Sequence, residues 1–224
     1  MPTSDYTSIP AVMDALGMLQ PKSICDIGVG CGKYGLLIRE TYDLQHRSGT
    51  EWEGTLFQRT LRLDGVEVFP NYIEALQRSI YDRIMIGDIV ALADDMEEYD
   101  LFTMFDVIEH IDHESGISCL EKLRRKARIG ILLVTPIKPG PQGVVSGNVH
   151  ESHVSTWGPK EWDQLGRTRY MTICGRKWLT LVEGRESGLA PWLRKPRLRR
   201  RLKLAVLGAL NGLLPGRVDL PALM

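Results

Sequence analysis

The chain has 224 residues, of which 43% are apolar and 25% are charged, a composition typical of a soluble globular protein with a buried core. Its 28 basic and 28 acidic residues cancel overall, but residues 184–224 contain nine Lys or Arg against two Asp or Glu. We therefore expect one acidic domain over 1–183 and a basic tail over 184–224. The four cysteines form no CxxC pair and no Cys/His set with zinc spacing, which excludes a zinc finger and favours reduced thiols.

The first part of the chain alternates helical and strand patterns, as a doubly wound α/β domain does. Apolar residues at helical spacing predict a leading helix over 9–19. A short buried strand over 23–27 then runs into a glycine-rich turn, and a helical pattern begins again at Lys33. The polar stretch 43–60 predicts a long connection.

The same alternation continues to the end of the predicted domain. The elements that we predict there are strands at 61–68, 83–86, 101–105 and 129–134, helices at 71–79 and 113–128, and a hairpin formed by 170–173 and 178–182. The strand at 129–134 is apolar throughout, as expected of a strand buried on both faces of a parallel sheet. The predicted fold is a Rossmann-like, doubly wound α/β domain with a seven-stranded sheet, mostly parallel and ending in an antiparallel hairpin.

The strongest local pattern is Asp26-Ile27-Gly28-Val29-Gly30-Cys31-Gly32, between a strand and a helix. Its glycines let the backbone turn sharply and let a ligand approach where a Cβ would collide. A nicotinamide site prefers the spacing GxGxxG and leaves the helix N-terminus open to a pyrophosphate. Asp26 would repel a pyrophosphate and favour an ammonium group, which argues against a nicotinamide enzyme. An ordinary strand–helix turn is the alternative.

Two more acidic residues follow neighbouring predicted strands. Glu67 ends the second strand, where a carboxylate can accept both hydroxyls of a ribose, and Asp88 follows the third, where it can accept from an adenine amino group. The carboxyl ends of parallel strands meet at one edge of a sheet. Three carboxylates in register with a glycine loop therefore predict a nucleoside site at this edge.

The order of these motifs, followed by Asp106-Val107-Ile108-Glu109-His110, resembles the class I S-adenosylmethionine-dependent methyltransferases. The resemblance covers residues 10–183 and is greatest for the small-molecule group that includes the ubiquinone-biosynthesis O-methyltransferases. It implies S-adenosylmethionine as the cofactor.

The resemblance also assigns residues to each part of that cofactor. It implies that the methionine part is held by Asp26, Gly28, Gly30 and Gly32. It implies that Asp106 lies beside the sulfonium and the acceptor.

For the nucleoside part, the resemblance implies that Glu67 binds the ribose and that Asp88 accepts from the adenine amino group. Val68 and Ile89 would then pack on the two faces of the adenine ring.

Methyl transfer is an in-line displacement, so positioning provides most of the rate, and a base is needed only where the acceptor hydroxyl must lose its proton. His110 is the leading candidate for a catalytic base, because it follows strand four and titrates near neutral pH. A histidine that only packs in the loop is the alternative. Glu109 is expected to orient His110 or to be solvated.

A second group of polar residues follows strand five. His150 and Trp157 are predicted to line the acceptor pocket, and His153 is a second candidate base. Two histidines three residues apart with a carboxylate between them raise the question of a metal, but no third or fourth ligand is evident from the spacing. We therefore expect no metal site.

The tail has a basic segment at 194–203 followed by an apolar segment at 204–214, which is too short to span a membrane. Such a segment can lie on an anionic membrane surface and bring the enzyme to a lipid-linked acceptor. Packing on a partner subunit and a frayed tail are alternatives. Nucleic acid is disfavoured, because no aromatic residues interleave the basic ones.

The favoured function is methyl transfer to a small-molecule or lipid-linked acceptor, such as a glycan on a lipid carrier, most simply at oxygen. The alternatives are methylation of RNA or protein and a catalytically inert nucleoside-binding module. Residues 1–14 lack the basic start and apolar run of a signal peptide, so we expect a cytoplasmic protein, peripheral on the inner membrane face where the tail binds lipid. The sequence does not define the oligomeric state.

Overall fold

The computed structural model describes residues 4–45, 59–145 and 147–186. The helices there are α1 (Ile9–Leu19), α2 (Lys33–Gln45), α3 (Ala75–Ile80), α4 (Ile89–Leu92), α5 (His113–Lys126) and α6 (Pro159–Gln164). The strands are β1 (Ser23–Ile27), β2 (Arg62–Glu67), β3 (Arg83–Ile86), β4 (Tyr99–Phe105), β5 (Ala127–Pro136), β6 (Thr168–Ile173) and β7 (Lys177–Glu183). Short 3₁₀ helices at Tyr6–Ser8, Pro70–Tyr72, Ile108–His110 and Val149–Glu151 complete the description.

The seven strands form one sheet in the order β3-β2-β1-β4-β5-β7-β6. Strands β1 to β5 are parallel, whereas β7 runs antiparallel to both β5 and β6. The predicted sheet and its antiparallel hairpin are therefore confirmed. The strand order reverses between β1 and β4, and ligands bind at such a switch point in open α/β sheets.

Helices cover both faces of the sheet. Alternate residues of β1 point to opposite sides, so that Ile24 joins a core with α1, α2 and α3, and Cys25 joins a second core with α4 and α5. The second core also contains Trp157 and Trp162, which stack with ring centroids 5.2 Å apart. This two-sided burial explains why β5 is almost wholly apolar and why most positions of β1 and β4 are apolar as well.

The predicted helix at 71–79 is wrong in extent. A 3₁₀ turn, Pro70–Tyr72, comes first, and Ile73 is extended before α3 begins. The side chains of Glu74 and Gln77 form a capping box at the start of α3, which fixes where the helix begins. The short helices α4 and α6 were not predicted, because four and six residues are too few to show a helical period.

Residues 187–224 of the predicted tail and most of the predicted connection at 43–60 lie outside the described residues. Helix α2 extends to Gln45, so it includes the first residues of the predicted connection. The described residues begin again at 59, shortly before β2. None of the described helices is long and apolar enough to cross a membrane.

Candidate active site

A cleft of about 700 Å³ opens at the carboxyl ends of β1, β2 and β4. Most of the predicted site residues line it: Asp26, Gly28, Gly30, Glu67, Val68, Asp88, Ile89, Asp106, Glu109, His110, His150 and His153. Of the predicted residues, Gly32 and Trp157 lie outside this lining. The sequence motifs therefore converge on one cavity of the size that small-molecule sites have.

The glycine loop after β1 uses left-handed backbone conformations, with φ of 83° at Gly28, 50° at Gly30 and 77° at Gly32. A Cβ at Gly28 would lie 2.4 Å from Val107 Cγ2. The glycine loop and the turn after β4 are therefore too close together for any residue other than glycine at position 28. The Gly32 amide donates to the Val29 carbonyl at 2.8 Å. Gly32 therefore shapes the turn without facing the cleft.

Glu67, at the end of β2, is 4% exposed and is held by two backbone amides. Gly30 N–H donates to Oε2 and Phe69 N–H donates to Oε1, each at 2.9 Å. Burial raises the pKa of this carboxyl, against the effect of the two amide donors. Each carboxylate oxygen keeps a second lone pair that can accept from a ligand hydroxyl.

Asp26 lies within β1 and is 3% exposed. The Tyr81 hydroxyl donates to Oδ2 at 2.6 Å, and the Thr103 hydroxyl donates to Oδ1 at 2.7 Å. Burial raises the pKa of Asp26 to about 6, although both hydroxyl donors act in the opposite direction. Both carboxylate oxygens are thus fixed by the protein itself at the base of the cleft.

The predicted adenine end of the cleft is formed at the ends of β2 and β3. Val68 is half-buried and Ile89 is buried, and both line the cavity. Asp88 is exposed and caps α4, because its Oδ1 accepts from the Val90 amide at 2.9 Å. That bond directs the carboxylate and leaves its other oxygen available to a ligand.

Asp106, the first residue after β4, has a positive φ of 56°, which is uncommon for a residue other than glycine. Lys177, at the start of β7, donates to Asp106 Oδ2 at 2.6 Å, and the Lys177 side chain is 8% exposed. Among the described residues, no group hydrogen-bonds the buried Oδ1 of Asp106. The turn therefore presents an acceptor atom that the protein leaves without a donor.

Glu109, His110 and His153 meet at the other end of the cleft. Their potential ligand atoms all lie within 4.8 Å of one another, and the two imidazole centroids are 4.9 Å apart. Thr135 Oγ1 donates to Glu109 Oε2 at 3.0 Å. Burial, aided by the nearby Asp106 charge, raises the pKa of Glu109 to about 8, and burial lowers the pKa of His110.

The segment that carries His153 is tied to the turn that carries His110. The amides of Val154 and Ser155 donate to the Glu109 carbonyl at 2.9 and 3.1 Å. The contact between His110 and His153, which are 43 positions apart, therefore depends on main-chain bonds. These bonds do not require particular side chains at positions 154 and 155.

Trp157 corrects one prediction, because it is 1% exposed and packs in the core rather than in an acceptor pocket. Its indole N–H is hydrogen-bonded to the Ile108 carbonyl at 3.0 Å and to Ser155 Oγ at 2.8 Å. Trp157 thus supports the 108–110 turn from behind. His150, by contrast, is exposed and lines the cleft, but it is not part of the cluster that His153 forms with Glu109 and His110.

Sequence reasoning missed four residues that set the geometry of the site: Tyr81, Thr103, Thr135 and Lys177. Three of them are neutral side chains inside or beside buried strands, where a hydroxyl gives no sequence signal. Lys177 fell in the predicted hairpin turn, one residue before the strand predicted at 178–182, where a lysine is expected to be solvated and gives no signal.

No protein-family model matches the sequence, and no curated protein matches it significantly. Among solved structures, the methyltransferase domain of bacterial CtHen1 is similar over 80% of this chain and 99% of that chain, with 17% identity and a TM-score of 0.51. An O-methyltransferase family protein from Burkholderia thailandensis matches over 81% of this chain and 57% of that chain, with 13% identity and a TM-score of 0.54. TehB from Haemophilus influenzae matches over 80% and 65%, with 16% identity and a TM-score of 0.53.

The chain thus spans less than two thirds of the latter two proteins. At these identities the likeness establishes the fold. The chain has the seven-stranded Rossmann-like fold found in these methyltransferases.

Proposed function

We propose that this protein transfers a methyl group from S-adenosylmethionine to an oxygen atom of a small-molecule or lipid-linked acceptor. The observation that carries the proposal is the position of Glu67. It lies at the end of β2, bonded to the glycine loop through the Gly30 amide, with acceptor positions left for a ribose. A fold shared with methyltransferases of known structure supports the same function.

The other contacts in the cleft suit the rest of this cofactor. Val68 and Ile89 offer apolar surface for the adenine ring, and Asp88 offers an acceptor for its amino group. The carboxylates of Asp26 and Asp106 at the methionine end complement an ammonium and a sulfonium group. A pyrophosphate would meet the same carboxylates unfavourably, which disfavours a nicotinamide cofactor.

The acceptor end contains the groups that promote loss of a hydroxyl proton. Burial lowers the pKa of His110, so its imidazole stays neutral near pH 7. The lone pair of the neutral imidazole can then accept the proton of the acceptor hydroxyl. In the transfer step the acceptor oxygen forms a bond to the methyl carbon, and the carbon–sulfur bond breaks with its electron pair going to sulfur. The hydroxyl proton passes to the neutral His110 imidazole and then to water, so the products are a methyl ether, S-adenosylhomocysteine and a proton.

The lipid-linked form of the acceptor rests on the sequence of the tail. Its basic segment, 194–203, precedes an apolar segment, 204–214, and such a pair favours an anionic membrane surface. We propose that this tail holds the cleft near a lipid-borne acceptor.

Calorimetric titration with S-adenosylhomocysteine tests the cofactor. We expect micromolar binding to the unmodified protein, weakened at least about tenfold in Glu67→Ala and in Asp26→Ala, since each loses a charge-assisted contact. Asp95→Ala is the matched control, because Asp95 is exposed and lies outside the cleft lining. Absence of binding to the unmodified protein would overturn the proposal.

A further inference from the structure

We infer that Glu109, His110 and His153 bind one divalent transition-metal cation, which holds the acceptor oxygen. The cation site is defined by this chain's own side chains. Only the binding of an acceptor oxygen to the cation rests on the proposed function. Two imidazoles and one carboxylate within 4.8 Å of one another form a set that leaves coordination positions open.

The distances fit an ion after small side-chain rotations. Ligand atoms about 2.1 Å from one cation lie roughly 3 to 3.5 Å from each other in tetrahedral or octahedral geometry. The three potential ligand atoms are already within 4.8 Å, and the His110 and His153 rings are inclined by 40° rather than stacked in parallel.

Both imidazoles are held in the tautomer that a metal requires. His110 Nδ1 lies 3.1 Å from the Ser152 carbonyl oxygen, and His153 Nδ1 lies 2.6 Å from the Gly140 carbonyl oxygen. A carbonyl only accepts, so each Nδ1 carries the proton and each Nε2 keeps its lone pair. Proteins orient metal-binding histidines through the same kind of bond from the second ring nitrogen.

The carboxylate is oriented in the same way. The Thr135 hydroxyl donates to Glu109 Oε2 at 3.0 Å, and Glu109 is 1% exposed. The Glu109 carbonyl, bonded to the Val154 amide at 2.9 Å, fixes the neighbouring segment that carries His153. All three ligands are therefore positioned by bonds that do not involve a cation.

The charges around the cluster favour a cation. Asp106 has a buried Oδ1 that no described residue hydrogen-bonds. Lys177, one of two lysines that line the cleft, is paired with Oδ2 of the same Asp106. A bound cation would therefore meet carboxylate charge from Asp106 on this side of the cluster.

The ligand types indicate which cation binds. Two nitrogen ligands favour Mn²⁺, Fe²⁺, Co²⁺ or Zn²⁺ over Mg²⁺ or Ca²⁺, which prefer oxygen alone. Three protein ligands leave positions for oxygen atoms of an acceptor within the cleft, and an acceptor with two adjacent oxygens can fill two of them.

A cation held by Glu109, His110 and His153 would lower the pKa of a bound acceptor hydroxyl, whose proton would pass to water. The acceptor oxygen would then form its bond to the methyl carbon while the carbon–sulfur bond breaks with its electron pair going to sulfur. His110 and His153 would act as ligands, and the cation would supply the activation that a free imidazole would otherwise provide.

Metal titration of the full chain tests the site directly. After treatment with a chelator and its removal, Co²⁺ and Mn²⁺ are titrated by visible absorption and calorimetry. We expect one ion per chain, with affinity reduced at least about tenfold in His153→Ala and in Glu109→Gln, and by about tenfold in Thr135→Val. His113→Gln is the matched control, since His113 is exposed and belongs to neither the cluster nor the cleft lining.

Binding of S-adenosylhomocysteine and circular dichroism on the same samples show whether each variant is folded. If Glu109→Gln does not fold, His153→Ala, on an irregular segment, decides the result. No ion bound by the unmodified protein, or equal affinity in His153→Ala and His113→Gln, would overturn the inference. Metal binding without S-adenosylhomocysteine binding would support the cation site and contradict the proposed function. Binding of S-adenosylhomocysteine without metal binding would support the proposed function and contradict the cation site.

Discussion

Lys177 Nζ lies 2.6 Å from Asp106 Oδ2 and joins the first residue of β7 to the turn after β4. Both side chains are largely buried, with 8% and 16% of their surface exposed. The pair links the antiparallel hairpin to the edge of the sheet where the cleft opens.

Removing only the lysine should be costly. We expect Lys177→Met to lower the free energy of unfolding by about 3 kcal/mol, because the buried Asp106 carboxylate is left without its counter-charge. Urea denaturation measures this loss. Lys122→Met is the control, since Lys122 pairs with the exposed Asp94 and should cost less than about 1 kcal/mol. Equal losses in the two variants would contradict a buried pair, and Asp106→Asn combined with Lys177→Met should recover part of the loss.

Gly28→Ala should damage both the loop and cofactor binding. Its Cβ would lie 2.4 Å from Val107 Cγ2 at a φ of 83°, and we expect a loss of about 1 to 3 kcal/mol. Val107→Ala should relieve the collision and restore part of the stability but not the strain in φ. Gly17→Ala provides a control of opposite sign: Gly17 lies in α1 with nothing within 4 Å of an added Cβ, so stability should rise by up to about 1 kcal/mol.

Asp26 should give the apo protein a specific dependence of stability on pH. Its folded-state pKa of about 6 lies above the ordinary aspartate value of 3.8, so the folded state binds more protons than the unfolded state between these values. Stability should then fall as pH rises from about 4 to 6, by up to about 3 kcal/mol relative to Asp26→Asn. Unfolding curves of both proteins across this range measure the difference, and parallel pH profiles would exclude the effect.

Trp157→Ala tests whether this residue supports the core. We expect a loss of about 4 kcal/mol in unfolding free energy, because a fully buried indole leaves a large cavity beside Trp162. Trp157→Phe should lose less, since it keeps a ring but not the N–H bond to the Ile108 carbonyl. Unchanged stability in Trp157→Ala would contradict a role in the core and would favour the original prediction that Trp157 lines the acceptor pocket.

The basic tail should control membrane association. Reversing the charge of Arg199, Arg200 and Arg201 to Glu should abolish cosedimentation with vesicles that contain anionic lipid, while S-adenosylhomocysteine binding is unchanged. Neutral vesicles are the control for charge. Equal sedimentation of the variant and the unmodified chain with anionic vesicles would exclude this role.

The sheet and the strand-end positions of Asp26, Glu67 and Asp88 could be predicted from the sequence because these depend on local patterns. Apolar runs locate β1 to β5, and a strand end followed by a glycine or carboxylate locates the loops around Asp26, Glu67 and Asp88. Such patterns are short and are read within a few residues. Bringing the three carboxylates together needed only one further rule, that neighbouring parallel strands end at the same edge of a sheet.

The acceptor side could not be predicted in the same way. His110 and His153 were identified separately, but their contact depends on main-chain bonds from Val154 and Ser155 to Glu109, which the sequence does not reveal. The expectation of no metal considered the spacing of His150 and His153 along the chain. Histidines that meet across space have no characteristic spacing.

The division of the cleft along the chain has a consequence for how this protein can change. Asp26, Glu67 and Asp88 belong to the first three strand ends, whereas His150 and His153 belong to the connection between β5 and α6. That connection is outside the sheet ladder. If the proposed function is correct, insertions or exchanges within this connection would change the acceptor pocket, whereas the strand ends that carry the proposed nucleoside site would be unaffected.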